Sequence, residues 1–397
     1  MKELGLYVHI PFCLRKCSYC DFVSYPFRGE GEEFFSLLYE ELRLKVHALQ
    51  LEGRRVCSVY FGGGTPSILA PSLFGDFLRK LQSYFTLSFP LEVTLEVNPE
   101  TVTEARLLEW REAGILRLSL GVQSFAPRYL FLLGRSVSLE TLHRTLQKVV
   151  GSGWENWNID LIYGLPLQDF DSWGEDLSET LRYAPPHISV YNLTLSPAVP
   201  LFSFFRRHFR LFPSPDKQAY LFRFAEERLA AAGYVHYEVS NFARPGYECQ
   251  HNLLYWRNGE YLGLGPSSWS HIGGKRQKNA ETLRGYRKAL EDGRCPIVFE
   301  EELSQEEKIF EDFLLLLRTR QGVPLSLVHS FRNQDLLNLL SAFVAEGLLL
   351  EEDGRLYPSS SGFLLLHQVL AEVFARRAAS PLRNLLHGGK RRHSLAE

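Results

Sequence analysis

The chain carries the run Tyr7-Val8-His9-Ile10-Pro11-Phe12-Cys13-Leu14-Arg15-Lys16-Cys17-Ser18-Tyr19-Cys20-Asp21-Phe22, in which three cysteines have the spacing C-x3-C-x2-C. Thiolates normally hold all four irons of a [4Fe–4S] cluster. Because no fourth cysteine follows closely, Cys13, Cys17 and Cys20 would leave one iron open to a ligand that is not protein. The alternatives are a zinc site completed by a distant histidine, or buried structural thiols. Zinc sites usually have a second Cys-x2-Cys pair, which this sequence lacks, so we predict the cluster.

The composition is that of an ordinary globular protein, with 397 residues, 45% of them hydrophobic, and a formal net charge of −2. This length allows two or three domains, or one large barrel with an appendage. The charge gives no reason to expect a nucleic-acid partner. The first residues contain no apolar stretch of signal-peptide length, and no apolar run approaches the roughly 20 residues that span a bilayer. We therefore expect a cytoplasmic protein with reduced thiols and no transmembrane segment, and leave peripheral membrane contact open.

Short β-branched and aromatic runs alternate with amphipathic segments from residue 4 to about residue 240. The predicted strands are Leu4–His9, Val56–Phe61, Leu91–Val97, Leu116–Gly121, Trp157–Tyr163, His187–Leu193 and Val235–Val239. The predicted helices between them are Phe34–Leu49, Pro71–Tyr84, Thr103–Ala113, Leu139–Val150, Ser172–Tyr183 and Asp216–Ala231. This alternation predicts an α/β fold with a parallel sheet, and the count fits a partial (βα)6 barrel over residues 1–240. In such barrels the chemistry lies at the C-terminal ends of the strands.

The pattern becomes mostly helical beyond residue 300. Glu306–Arg318, Asn333–Glu346 and Gly362–Arg376 are predicted helices, and residues 348–357 form a predicted hairpin around Asp353-Gly354. We expect a winged-helix-like domain at 300–380, a connecting segment at 241–299 and a disordered basic tail at 381–397. The fold alone does not imply DNA binding, and the acidic tip of the hairpin argues against it.

Polar residues interrupt the barrel pattern just past several strands. A glycine turn, Gly62-Gly63-Gly64-Thr65-Pro66, follows the second strand and lets backbone approach a ligand closely, although it could equally be a tight connection. Glu96 ends the third strand, where a buried carboxylate needs a partner such as a ligand amine or a core arginine. Gln123, Arg135 and Asp160 offer hydrogen bonds on the same side.

Several motifs together resemble the oxygen-independent coproporphyrinogen III dehydrogenase family of radical SAM proteins. They are Y-x-H-I-P-F-C-x3-C-x-Y-C-D-F, F-G-G-G-T-P-S, G-V-Q-S-F and D-L-I-Y-G-L-P. The resemblance implies a [4Fe–4S] cluster whose open iron binds S-adenosylmethionine, and an electron donor such as a flavodoxin or ferredoxin. It implies that Tyr7, Gly63 and Glu96 hold this S-adenosylmethionine. Positions that hold a second molecule in the dehydrogenase match Gly64, Thr65, Gln123, Arg135 and Asp160.

Two departures from the dehydrogenase pattern suggest a second branch of that family, the haem chaperones. Phe22 stands where the enzyme has a fourth cysteine, and the cluster motif lacks the enzyme's preceding arm. The chaperone mark H-N-x-x-Y-W is present as His251–Trp256. Haem iron needs an axial ligand, for which His251 is the candidate and Cys249 the alternative, and Tyr255, Trp256 and Trp269 would supply an aromatic wall. The structural alternative is that His251 only satisfies a hydrogen bond in the core.

The sequence is therefore consistent with two functions from different classes. The first is a haem chaperone with a [4Fe–4S] cluster and S-adenosylmethionine, which carries haem as cargo to an acceptor protein. The second is the dehydrogenase itself, which oxidises two propionates of coproporphyrinogen III to vinyl groups in porphyrin biosynthesis. A radical SAM enzyme acting on another tetrapyrrole or aromatic substrate is a third possibility. The sequence assigns no catalytic residue, and leaves enzyme activity open.

Overall fold

β-Strands and α-helices alternate along most of the chain in the computed structural model, which describes residues 3–331 and 333–378. The chain divides between Gln305 and Glu306 into two compact units. None of the helices within the described ranges combines the length and the apolar character needed to span a bilayer.

Twelve strands of the first unit form one sheet. The strands of this unit are β1 (Leu4–Ile10), β2 (Phe12–Cys13), β3 (Tyr25–Pro26), β4 (Arg55–Gly63), β5 (Thr86–Val97), β6 (Arg117–Gln123), β7 (Trp157–Tyr163), β8 (His187–Asn192), β9 (Val235–Glu238), β10 (Asn241–Ala243), β11 (Glu260–Leu264), β12 (Trp269–Ile272), β13 (Lys275–Asn279) and β14 (Ile297–Glu302). The order in the sheet is β14-β13-β12-β11-β1-β4-β5-β6-β7-β8-β10-β9. From β11 to β8 every neighbouring pair is parallel, whereas the strands at both ends pair antiparallel.

Helices connect the parallel strands and cover the sheet. They are α1 (Gly31–Ala48), α2 (Pro71–Leu81), α3 (Glu104–Glu112), α4 (Pro127–Leu132), α5 (Leu139–Gly151), α6 (Phe170–Tyr183), α7 (Pro200–His208), α8 (Pro215–Ala231), α9 (Gln250–Trp256) and α10 (Leu283–Glu291). Thr103, Ser138 and Ser214 cap the helices that follow them, as their residue types predict. Helix α6 begins two residues before the predicted Ser172, because Asp169 forms a capping box with that serine.

Aromatic packing between the first helices and the sheet illustrates how the barrel is held together. Phe61 of β4 lies against Phe74 and Phe77 of α2, with ring centroids 4.9 and 5.8 Å apart. Phe35 of α1 contacts the same two rings edge-on. All four side chains are buried, and removal of one such ring typically costs about 3–5 kcal/mol. Six βα units, in which β1 and β4 to β8 are each followed by a helix, confirm the predicted partial (βα)6 barrel.

Two features of the sheet differ from the strand pattern expected from the sequence. Val235–Glu238 is a strand, but it forms an antiparallel pair with β10 at the edge of the sheet. Residues 241–299, which we expected to connect two domains, contribute β10 to β13 to the same sheet, and β11 pairs parallel with β1. β13 consists of Lys275-Arg276-Gln277-Lys278-Asn279, whose polar composition does not predict a strand.

The second unit contains five helices and a three-stranded sheet within its described residues. The helices are α11 (Gln305–Leu316), α12 (Leu325–Val328), α13 (Gln334–Ala345), α14 (Ser360–Leu364) and α15 (Leu366–Ala378), and the strands are β15 (Val323–Pro324), β16 (Leu349–Glu352) and β17 (Arg355–Pro358). Asp353 and Gly354, both with positive φ, join β16 to β17 in the predicted hairpin. The basic tail predicted at 381–397 lies outside the described residues.

Candidate functional site

A cavity of about 410 Å³ opens at the C-terminal ends of the parallel strands. Its lining includes ten residues to which the sequence pointed: Cys13, Cys17, Cys20, Gly63, Gly64, Thr65, Glu96, Gln123, Arg135 and Asp160. They come from the end of β2 and the loop after it, the ends of β4 to β7, and the segment after α4. The topology therefore places residues from six separate stretches of sequence around one space.

Cys13 ends β2, and Cys17 and Cys20 lie on the loop between β2 and β3, which the rest of the barrel holds in place. Ser18, within this loop, donates through its backbone NH to Leu133 O at 3.0 Å and through its hydroxyl to Leu132 O at 2.6 Å. Burial raises the pKa of the thiols of Cys13 and Cys20, so loss of these protons would accompany metal binding.

Two side chains donate hydrogen bonds to the cysteine sulfurs. Thr65 Oγ1 lies 3.5 Å from Cys13 Sγ, and an Arg135 guanidinium nitrogen lies 3.7 Å from Cys17 Sγ. Such donors stabilise thiolates and tune the potential of a bound cluster. Within the described residues, no three His, Cys, Asp or Glu side chains converge as they would on a single metal ion. A [4Fe–4S] cluster needs no such convergence, because each thiolate binds a different iron.

The glycine turn holds the cysteine loop close to β4. A Cβ on Gly64 would lie 2.5 Å from Phe12 O and 3.0 Å from Cys13 Sγ. Gly63 has φ +111°, and a Cβ there would lie 2.6 Å from the His9 ring. Both positions therefore require glycine for the packing of the protein itself, apart from any ligand that the backbone also approaches.

Glu96 is a half-buried carboxylate on the wall of the cavity. Its Oε1 accepts a hydrogen bond from the Tyr60 hydroxyl at 3.0 Å, and its Oε2 accepts one from the Gly63 backbone NH at 3.0 Å. Burial and the nearby charge of Asp160 raise the pKa of Glu96 to about 7. Glu96 can therefore take up or release a proton near neutrality, or pair with a cationic group of a ligand.

The lining of the cavity also carries a hydrogen-bonded polar set. Arg135 donates to Asn98 Oδ1 at 2.8 Å and to Gly121 O, which fixes the guanidinium between β5 and β6. Asp160 accepts hydrogen bonds from Asn158 Nδ2 at 2.7 Å and Ser119 Oγ at 3.3 Å, yet burial still raises its pKa. Gln123 adopts φ +72°, a conformation that non-glycine residues keep mainly where the surrounding structure enforces it.

Tyr7 lies below the cavity instead of in its lining. Its ring stacks on Tyr60, with centroids 6.1 Å apart, and on His251 at 6.5 Å. Its hydroxyl lies 3.3 Å from His9 Nδ1. Tyr60 therefore stands between Tyr7 and Glu96, and is the aromatic residue of this group that lines the cavity.

His251 lies on α9, which packs against the N-terminal half of the barrel interior. Its Nδ1 lies 2.8 Å from Ser58 Oγ and its Nε2 lies 2.8 Å from Tyr255 Oη. Burial and the charge of Arg117 lower its pKa to about 3, so the imidazole is neutral. Both ring nitrogens are engaged, so iron ligation by His251 requires the ring to leave these partners.

The other residues expected around haem occupy separate positions. Cys249 is buried, its Sγ lies 3.4 Å from Glu92 Oε1, and burial raises its pKa to about 12. Tyr255 packs edge-on against Tyr261, whereas Trp269 packs against Phe299 of β14. In this conformation the H-N-x-x-Y-W motif has a structural role, because His251 and Tyr255 hold α9 against the strands.

Several residues that build the site were not expected from the sequence. They are Ser58, Tyr60, Glu92, Asn98 and Arg117. Asn98 follows Glu96 past the same strand end, so the strand-end argument alone could have found it. Glu92 carried no such signal: it accepts hydrogen bonds from the backbone NH groups of Gln250 and His251, more than 150 residues along the chain.

Comparisons with known proteins agree with this architecture. The model of the Radical SAM superfamily matches residues 7–179, and that of the HemN C-terminal domain matches residues 303–365. The protein named Heme chaperone HemW from Mycobacterium tuberculosis is 35% identical over 373 residues, which cover 93% of this chain and 94% of the relative. Its counterpart in Escherichia coli is 33% identical over 388 residues, covering 94% and 99%. This chain belongs to the HemW family.

Membership of the HemW family confirms the resemblance found in the motifs. A solved structure described as coproporphyrinogen III oxidase (HemN) from Escherichia coli, a radical SAM enzyme, is 26% identical and superposes with a TM-score of 0.80 over 94% of this chain and 90% of its own. The radical SAM superfamily implies a [4Fe–4S] cluster and S-adenosylmethionine. Three cysteines beside one cavity, two of them with hydrogen-bond donors on sulfur, fit that expectation.

Proposed function

We propose that this protein is a haem chaperone, which binds haem and passes it to an acceptor protein. The observation that carries the proposal is its match, along almost the entire length of both chains, to proteins named Heme chaperone HemW. Phe22 supports the same branch. Its side chain lines the cavity, is 57% exposed, and offers no ligand at the position of the dehydrogenase's fourth cysteine.

In this proposal the cavity is the cofactor site of the chaperone. Cys13, Cys17 and Cys20 hold the [4Fe–4S] cluster, which supplies single electrons when bound. Glu96 and the backbone at Gly63 hold the cluster-bound S-adenosylmethionine, with Tyr7 supporting that wall from below through Tyr60. Gly64, Thr65, Gln123, Arg135 and Asp160 line the remaining cavity, where a second molecule of S-adenosylmethionine would lie.

A second candidate is anaerobic oxidation of coproporphyrinogen III, and the structural similarity to HemN favours it. Both functions need the cluster and the cavity, so those features do not separate them. What separates them is turnover. A chaperone binds haem and releases it unchanged, whereas the dehydrogenase consumes a porphyrinogen.

One experiment on anaerobically reconstituted full-length protein tests the proposal. Haem is titrated while the Soret band is followed, a haem-free acceptor apoprotein is then added, and a parallel sample is supplied with coproporphyrinogen III, S-adenosylmethionine and a flavodoxin reducing system. We expect saturable haem binding, transfer to the acceptor and no protoporphyrinogen IX. Robust conversion of the porphyrinogen would favour the enzyme, and absence of haem binding would overturn the chaperone.

A further inference from the structure

The segment Pro200–Phe212 combines aromatic and basic residues on the surface of the first unit. Its sequence, Pro-Leu-Phe-Ser-Phe-Phe-Arg-Arg-His-Phe-Arg-Leu-Phe, contains five phenylalanines, three arginines, one histidine and no acidic residue. It forms α7 and the short 3-10 turn Phe209–Leu211. None of its residues lines the cavity described above.

Two backbone hydrogen bonds place this segment beside the mouth of the cavity. The NH of Leu201 donates to Ser18 O at 2.9 Å, within the cysteine loop. The NH of Leu167, in the loop after β7, donates to Leu211 O at 2.7 Å. The segment belongs to the long loop after β8, whose first residues Leu193 and Thr194 line the cavity. Anything bound on it would therefore lie next to the cofactor site.

The segment exposes apolar surface mainly at Phe209 and Leu211, and its other phenylalanines are half-buried. Phe205 and Phe212 pack edge-on with centroids 4.9 Å apart, and Phe204 lies 4.7 Å from the ring of His208. Phe209 is 59% exposed and the neighbouring Leu167 is 64% exposed. Exposed apolar residues grouped in this way commonly mark a binding surface.

The basic residues of the segment are exposed and lack acidic partners. Within the described residues, no carboxylate lies within 4.0 Å of the guanidinium groups of Arg206, Arg207 or Arg210. Arg207 donates only to the backbone carbonyl of Ser203, at 3.2 Å, and Arg210 lies over the Phe209 ring at 5.8 Å. These guanidinium groups are available to pair with carboxylates of a ligand.

Haem presents three chemical features: a flat apolar macrocycle, two carboxylates, and an iron that takes an imidazole as axial ligand. The segment offers a counterpart for each. We propose that haem docks on Pro200–Phe212, with His208 binding the iron, the phenylalanines contacting the macrocycle, and Arg206 and Arg210 pairing with the propionates. This inference rests on the proposed haem-chaperone function and names its cargo site. It differs from the expectation for His251, whose ring is buried with both nitrogens hydrogen-bonded, whereas the His208 ring is exposed.

The competing occupant is an anionic membrane surface, since basic segments with exposed aromatic residues also bind lipid headgroups. Three observations favour haem. The helix has only nine residues, both ends of the segment are tied to barrel loops, and the histidine stands among the aromatic rings. A membrane helix would need none of these features.

Haem titration of the full-length protein tests the iron ligand. We expect His208→Ala to weaken haem binding about tenfold or more and to shift the Soret band, because an axial ligand is lost. The matched control is His47→Ala, which removes an exposed histidine from the last turn of α1. Both residues are exposed, so circular dichroism should show both variants folded. Wild-type affinity and spectrum in His208→Ala, with the loss appearing in His251→Ala instead, would overturn the proposal.

The arginines are tested with haem and its dimethyl ester, which lacks the two charges. Wild-type protein should prefer haem by about tenfold, and the double variant Arg206→Gln/Arg210→Gln should lose that preference while binding the ester unchanged. If the double variant binds haem normally but no longer sediments with phosphatidylglycerol vesicles, the segment is a membrane surface and the proposal fails. If wild-type protein binds no haem at all, the proposed function itself falls, which distinguishes the two failures.

Discussion

The Tyr60 hydroxyl donates a part-buried hydrogen bond of 3.0 Å to the Glu96 carboxylate. The ring of the same tyrosine also stacks on His251, with centroids 5.2 Å apart. One tyrosine thus joins the cavity wall to the helix that carries the H-N-x-x-Y-W motif.

Replacing Tyr60 with Phe keeps the stacked ring and removes the donor to Glu96. Because this hydrogen bond lowers the pKa of the carboxyl group, Glu96 should become harder to ionise. We expect affinity for S-adenosylmethionine to fall about five- to tenfold, the effect of losing one hydrogen bond to a charged group. Equilibrium dialysis under anaerobic conditions measures this. Tyr39→Phe, on α1 and outside the cavity lining, is the control, and equal affinities in all three proteins would move the ligand away from Glu96.

Cys13→Ala, Cys17→Ala and Cys20→Ala should each abolish a stable [4Fe–4S] cluster, because each removes one thiolate ligand. Reconstituted wild-type protein should hold about four irons per chain. Cys57→Ala is the matched control, since Cys57 is also half-buried but lies on β4 outside the cavity lining. Iron analysis and the visible spectrum report the result, and wild-type iron content in Cys17→Ala would contradict the assignment.

Arg135→Gln should make the bound cluster harder to reduce. The arginine places a positive charge and a donor 3.7 Å from Cys17 Sγ, and both stabilise the more negative reduced state. The midpoint potential, measured by EPR-monitored titration, should therefore become more negative, with Arg135→Lys between the two. Arg128→Gln, on α4, is the control. A potential that does not move would mean that the guanidinium acts only in packing.

Asp176→Asn should change how stability depends on pH. Asp176 accepts hydrogen bonds from Ser124 Oγ and the Phe125 NH, but burial raises its pKa from 3.8 to about 7. Because the folded state holds this proton more tightly than the unfolded state, the contribution of Asp176 is greatest below 3.8 and is lost as the pH rises toward about 7. Relative to Asp176→Asn, the wild-type free energy of unfolding should fall by at most about 1.4 kcal/mol per pH unit in this window.

Denaturant unfolding at several pH values between 5 and 8 measures that slope. Asp169→Asn is the control that should show no slope between pH 5 and 8, because the hydrogen bond from Ser172 lowers the pKa of Asp169 from 3.8 and its contribution changes only below that value. Its contribution is therefore lost as the pH falls. A wild-type curve parallel to that of Asp176→Asn would show that Asp176 is ionised throughout.

His251→Ala should destabilise the protein even without haem. The substitution leaves the hydroxyls of Ser58 and Tyr255 without their partner and opens a cavity beneath Tyr60. We expect the free energy of unfolding to fall by about 2–4 kcal/mol. His47→Ala, at the surface, should change it by less than about 0.5 kcal/mol. A fully stable His251→Ala protein would leave the histidine free for another role.

The barrel and the composition of the cavity were largely predictable, because both follow from local patterns. Strand ends in a parallel sheet meet at one edge, so Glu96, Gln123 and Asp160 could be placed together without a structure. The sequence did not assign Tyr60 to the site, because an aromatic residue in a strand normally indicates core packing. Glu92 and Arg117 resemble ordinary polar residues in strands, and their partners come from distant parts of the chain, including α9.

The role of the H-N-x-x-Y-W motif was the hardest to derive from sequence. A histidine beside aromatic residues suits both a metal site and a packed core, and the choice depends on whether its ring nitrogens find partners. Those partners are Ser58, almost two hundred residues away, and Tyr255, one helical turn on. The strand β11 was not predicted for a related reason. It pairs with β1, at the other end of this unit's sequence, and local sequence patterns do not reveal such distant pairing.

The position of α9 also bears on the side from which a ligand can reach the cavity. His251 and Glu92 lie on the amino-terminal side of the barrel interior. In the part of the chain that the structure describes, the cavity opens among the loops that follow the strands. In the proposed function, cluster assembly and S-adenosylmethionine exchange would both use this opening. Haem on Pro200–Phe212, the site proposed above, would therefore lie beside the opening through which S-adenosylmethionine would also exchange.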